Sequence, residues 1–251
     1  MPDTLLASGQ AIYWIGAVML IMARVGFIIY FMPGVGEQAV PVRVWAMIVL
    51  VFSISLAVTG VVEMPVLSSL GEFFRYLALE ASIGLFFGLL LRLSIWMLSI
   101  TGTIIAQVIG LSQMLGIALE TEAQTLSANM LALAGAALLL SMDYHVSVFV
   151  RMVSLYGEIP AGAFDLIDPQ FLVMRGFEAF GLAIMLAWPF VAVNLLYNIC
   201  LGFINKALPS LMVAFVGAPF MIGAGIMLLA FSIATMLVVW TNRVPSLIGW
   251  L

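Results

Sequence analysis

The sequence predicts an all-α integral membrane protein of long, kinked helices and helical hairpins. Three observations carry this. Hydrophobic residues make up 65% of the 251 positions and charged ones only 8%. The intervals between charges are long: 20 residues at 4–23, 19 at 44–62, 27 at 93–119, 20 at 123–142, 27 at 179–205 and 36 at 207–242. About 20 apolar residues suffice for a helix to cross a bilayer. Nowhere do segments of about ten residues alternate polar and apolar side chains, as a transmembrane barrel requires.

The first helix is predicted over about Leu5–Phe31, stopped by "MPGVGEQAVP", where Pro33, Pro41 and two glycines make a polar turn. A second follows over about Val42–Val61. A third, Val66–Ala106, runs without proline and is longer than one crossing needs, so it must tilt, bend or leave the membrane. After a glycine- and amide-rich stretch, "GLSQMLGIALETEAQTLSANM", a fourth is expected over Glu122–Tyr156. The segment "GEIPAGAFDLIDPQ" reads as an exposed loop. Two more helices, Phe171–Asn205 and Pro209–Asn242, contain Pro189 and Pro219, and both are expected to kink there.

Glycine spacing points to close helix packing at Gly84 and Gly88, and small-residue spacing at Ala214 and Ala218. Thr121 and Gln124 have capping-box spacing. Beyond them Glu120, Gln124 and Ser127 would share a wet face, and Leu119, Ala123, Leu126 and Met130 a dry one. The lone cysteine, Cys200, is expected to pack as a small apolar residue.

Net charge is −4 with the basic residues spread singly. That is neither a nucleic-acid footprint nor a polybasic membrane patch. The N-terminus carries Asp3 and no basic residue, unlike a cleaved signal peptide. Cys200 and His145 are too few for a zinc site, and no catalytic motif is present, so no enzyme and no cofactor are expected. Charges inside apolar segments are costly. Arg24 and Arg92 therefore need partners from elsewhere in the fold or from another subunit, or must snorkel to an interface. Glu80 lies too far from Arg92 for a pair along one helix. Asp143, His145 and Arg151 could form a proton relay, but a charge cluster at a helix end explains them as well. Lys206 stands at the junction before Pro209, a poor place for a retinal Schiff base.

Two stretches resemble a known family. In "ARVGFIIYFMPGVGEQAVPVRV", Arg24, Val25, Pro33, Glu37, Val40, Pro41, Arg43 and Val44 match the N-terminal signature of the FliR family of flagellar protein-export gate subunits. In "LGFINKALPSLMVAFVGAP", Leu201, Gly202, Asn205, Pro209, Phe215, Gly217 and Pro219 match its C-terminal motif. Lys206 stands where arginine is usual and Ser210 where glutamine is usual, and "DYHVSV" matches the family's Asn-Gly-His turn only at His145. Hydropathy and motif order fit over nearly the whole chain.

The resemblance implies one helical export-gate domain, 1–251, with N-terminal helices (1–106), a plug loop (106–122) and C-terminal helices (122–251). It implies a non-enzymatic subunit that forms a helical pore with FliP-like and FliQ-like partners for unfolded export substrates. FlhB-like and FlhA-like components would lie alongside, in the flagellar basal body at the bacterial inner membrane and in contact with membrane lipid. The plug that closes the pore would include Gln107, Gly110, Leu111, Ser112, Gln113, Met114, Leu115, Gly116 and Ile117. Arg24, Arg43, Arg92 and Lys206 would be buried or assembly charges, and Pro33, Pro41, Pro189, Pro209 and Pro219 hinges. The family's usual Asp-Pro after the plug is replaced by "ETEAQ". A virulence type III secretion homologue is the nearest rival, and a small-solute secondary transporter, with Arg24, Arg92 and the proline-containing helices as its site, a more distant one.

Overall fold

The computed structural model describes residues 2–37, 40–63, 65, 69–110, 120–207 and 213–250. Among them are seven α-helices: α1 (Pro2–Phe31), α2 (Val42–Thr59), α3 (Leu70–Ile109), α4 (Glu120–Ser141), α5 (Tyr144–Glu158), α6 (Pro169–Ala207) and α7 (Val213–Ile248). A 3-10 turn, Phe164–Leu166, precedes α6, and no strand occurs among the described residues. Among the described residues, five helices have spans long and apolar enough to cross a membrane: Tyr13–Phe31, Val42–Thr59, Leu70–Ile109, Pro169–Ala207 and Pro219–Ile248. The protein is an all-α integral membrane protein.

Helix ends follow local chemistry. Pro41, extended at φ −58° and ψ 135°, stands immediately before α2, where its missing N–H costs nothing. Gly60, in the left-handed conformation at φ 65°, ends α2 by donating its N–H to the Ala57 carbonyl. Gly110 does the same for α3, at φ 76°, with its N–H on the Gln107 carbonyl.

The 40 residues of α3 and 39 of α6 make helices of about 60 Å, twice the roughly 30 Å hydrocarbon core. Helical structure runs on through Pro189 in α6 and through Pro219 and Pro245 in α7.

One expected helix is two. The run predicted over Glu122–Tyr156 stops at Ser141 and restarts at Tyr144. Asp143 stands between them at φ 55°, the one non-glycine residue with positive φ among those described. Aspartate tolerates this conformation better than bulky residues do. Because α4 already includes Glu120, Thr121 lies inside its first turn and not at the cap.

The chain forms two compact units. The first comprises residues 1–92, 139–175 and 250–251, and the second 93–138 and 176–249. In the first, α1 supplies a buried row, Ala17, Leu20, Ile21, Val25, Ile28 and Ile29, and α3 supplies the buried Ile83, Phe87, Leu90 and Leu91. The paired glycines explain how close α1 and α3 lie. A Cβ on Gly84 would collide with the Arg24 carbonyl, and one on Gly88 would stand 2.8 Å from the Phe27 carbonyl.

In the second unit, α3 and α4 approach as tightly. A Cβ on Gly102 would stand 2.7 Å from the Cα of Ala128. The Ser127 hydroxyl donates to the Gly102 carbonyl at 3.0 Å, and the Thr101 hydroxyl to the Ala183 carbonyl of α6 at 3.2 Å. At the two described positions of the expected faces of α4 the outcome is the opposite, Ser127 being buried and Met130 60% exposed, while the side chains of the other five lie outside the described residues. Apolar surface gains nothing by turning inward where the surroundings are lipid or another subunit. The same reason leaves Cys200 exposed instead of packed.

Candidate functional site

Arg24 lies in mid-α1 with its side chain 1% exposed, and its partner is Glu80 of α3, 0% exposed. Arg24 Nε donates to Glu80 Oε2 at 2.7 Å and Nη2 to Oε1 at 2.9 Å, a two-pronged pair. The remaining donors go to the loop after α5: Nη1 to the Ile159 carbonyl at 2.8 Å and Nη2 to that of Pro160 at 3.3 Å. Glu80 Oε1 in turn accepts the Gly162 N–H at 2.7 Å. The Tyr156 ring lies 4.1 Å from the guanidinium carbon and covers its face.

The costly buried arginine is thereby neutralised inside its own chain. Four segments meet at it: α1, α3, the end of α5, and the loop 159–162. Sequence reasoning set Glu80 against Arg92 and missed it as the partner of Arg24. The available signal was that Glu80 is the acid inside the apolar body of the long third helix, and so needed a cation as much as Arg24 needed an anion.

Arg92 finds Glu37 in the turn after α1, with Nη1 on Oε1 at 2.7 Å; the side chains are 21% and 16% exposed. The pair ties the "MPGVGEQAVP" turn to α3, and Pro33 is buried beneath the same turn. The other expected charges are not buried. Arg43 is exposed in the first turn of α2, and Lys206 is exposed in the last turn of α6, where a cation suits the helix dipole.

Arg151 pairs with Glu158 and also donates to Ser154 and the Trp250 carbonyl. Among the described residues, no direct hydrogen bond joins Arg151 to Asp143 or His145. Asp143 is the hinge residue between α4 and α5.

Of the expected plug, Gln107 is exposed in the last turn of α3 and Gly110 closes that helix. Leu111, Ser112, Gln113, Met114, Leu115, Gly116 and Ile117 lie outside the described residues, as do Pro209 and Ser210. The interval between α3 and α4 is 110–119, with 106–109 and 120–122 belonging to the helices. Beside its start, α7 passes so close that a Cβ on Gly225 would stand 2.6 Å from Ile109. Further back, Trp240 of α7 is fully buried and donates its indole N–H to the Ser94 carbonyl of α3 at 2.9 Å. These contacts fix the end of α3 from which the interval departs.

Comparison with known proteins bears on what this frame serves. The model of the family described as "Bacterial export proteins, family 1" matches residues 15–247. The chain belongs to this family. Its relatives include the flagellar biosynthetic protein FliR of Caulobacter vibrioides, 31% identical over 235 residues that cover 91% of this chain and 93% of that protein. FliR of Aquifex aeolicus is 25% identical over 232 residues, covering 90% of this chain and 88% of that one. The match to bacterial export family 1 takes in both resembling stretches and every helix from the apolar part of α1 to the end of α7.

Proposed function

We propose that this chain is a non-enzymatic core subunit of the flagellar type III protein-export gate. It assembles with FliP-like and FliQ-like subunits into the pore through which unfolded substrates pass, alongside FlhB-like and FlhA-like components of the basal body in the bacterial inner membrane. The observation that carries this is the family match over 15–247, together with relatives named FliR that align over nine-tenths of the chain. Both relatives are flagellar, which favours this reading over the virulence homologue.

Two structural features support it. Helices of 36 to 40 residues exceed a bilayer and suit an assembly that extends beyond it. Large apolar side chains remain outward on α2 and α6, among them Met47, Val51, Val58, Phe177, Trp188 and Phe203, which need lipid or a neighbouring subunit to cover them.

The interval between α3 and α4 is the closing element. Its composition suits that role, since Leu111, Met114, Leu115 and Ile117 are apolar bulk of the kind that excludes water and ions, and methionine adapts to irregular surroundings. Co-expression with FliP-like and FliQ-like proteins should yield a co-purifying complex. Deleting Leu111–Gly116 should leave that complex intact but make the membrane leaky to ions. Purification only as a lone monomer overturns the assembly reading, and a deletion variant as tight as wild type overturns the closing role.

A further inference from the structure

Where α7 meets the end of α3, the fit depends on a single glycine of the second unit. A Cβ on Gly225 would stand 2.6 Å from both Cγ1 and Cγ2 of Ile109 and 2.9 Å from its Cδ1. Both residues are buried, as are Met221 and Ile222 one turn earlier on α7. Carbon atoms in good contact lie about 3.5–4.0 Å apart, so any larger residue at 225 demands a retreat of about 1 Å.

Most routes to that room are closed. Ile109 is β-branched, and every staggered rotamer leaves at least one Cγ against the site. α7 is pinned further along, where the buried Trp240 donates its indole N–H to the Ser94 carbonyl. Ser94 and Ile109 lie as far apart on α3 as Trp240 and Gly225 do on α7, so the two helices keep one antiparallel register between these points. α3 is pinned in turn at Gly102, whose Cβ position is 2.7 Å from the Cα of Ala128 in α4. What can yield is the end of α3 beyond Gly102. Gly110, with φ 76° and its N–H on the Gln107 carbonyl, terminates the helix immediately after Ile109 and passes any shift straight on.

We propose that Gly225 is a positioning residue for pore closure. By admitting Ile109 it seats the last turn of α3, and with it the point from which the interval between α3 and α4 departs. This rests on the reading of that interval as the closing element.

Gly225→Ala is compared with Gly223→Ala, on the same helix but with nothing within 4 Å of its Cβ position. Hydrogen exchange of the detergent-purified full chain reads the seat: Gly225→Ala should speed exchange at the amides of 105–110 and leave those of 94–101 unchanged. In the complex with FliP-like and FliQ-like subunits, the same variant should raise ion leak toward that of the Leu111–Gly116 deletion at undiminished complex yield. Ile109→Ala, which empties the seat without a clash, should produce both changes too, and the pair Gly225→Ala with Ile109→Ala should recover protection and tightness. Unchanged exchange at 105–110 in both single variants overturns the proposal. So does faster exchange in a complex as tight as wild type while the deletion leaks, since the contact would then be merely structural. A deletion that does not leak overturns instead the closing reading, and the exchange measurement still decides the seat.

Discussion

Replacing Glu80 by glutamine keeps the side chain's size and one acceptor but removes the negative charge that Arg24 faces. Arg24 cannot turn elsewhere: its side chain is 1% exposed, and its other donors are already committed to the Ile159 and Pro160 carbonyls. The amide can receive one of the two N–H groups now bound at 2.7 and 2.9 Å, and its NH2 then faces the other guanidinium N–H, and in one orientation the Gly162 N–H as well, donor against donor. Stranding a buried charge in this way costs about 3–5 kcal/mol. For a chain of this size, that corresponds to a fall in the unfolding midpoint of roughly 6–20 °C. The measurement is thermal unfolding in mild detergent, followed by the loss of the monodisperse peak in size-exclusion chromatography. The double variant Arg24→Met, Glu80→Leu should recover most of the loss, because an apolar pair leaves no charge to solvate. A midpoint for Glu80→Gln within about 2 °C of wild type, or a double variant worse than the single, would refute the reasoning.

Two neighbouring changes separate sterics from charge. Gly84→Leu should abolish the monodisperse peak, since its Cβ has no space against the Arg24 backbone and α1 would have to move away from α3; recovery of normally eluting protein would show that the helices can separate cheaply. Arg92→Ala should cost no more than about 1 kcal/mol, a midpoint shift of only a few degrees, because the pair with Glu37 is partly solvated on both sides. A loss as large as that of Glu80→Gln would show that this pair is not screened.

The helices themselves were legible because charges punctuate so apolar a chain, and the turn at 32–41 and the helix contact at Gly84 and Gly88 because proline and small-residue spacing have direct backbone meaning. What sequence reasoning missed shares one cause. Inward and outward faces of a membrane helix are both apolar, so the burial of Ser127 and the exposure of Met130 and Cys200 could not be read from periodicity. The pairing of Arg24 with Glu80 spans 56 positions and depends on α1 and α3 touching at Gly84, which is a tertiary fact. The break at Asp143 falls in a short polar patch, Ser141, Asp143 and His145, with no glycine or proline to announce it. Of the candidate site, the buried arginine was visible, whereas Arg43 and Lys206 proved to be exposed at helix ends because each lies within a turn of one.

The pairing of Arg24 has an electrical consequence. An elementary charge carried across a membrane exchanges about 2.3 kcal/mol with the field for every 100 mV. Arg24 and Glu80, paired at 2.7 Å, present a net charge of zero to that field, so carrying the pair across it as a unit, without turning it, does no electrical work. An unpaired Arg24 would instead carry its full charge through the field.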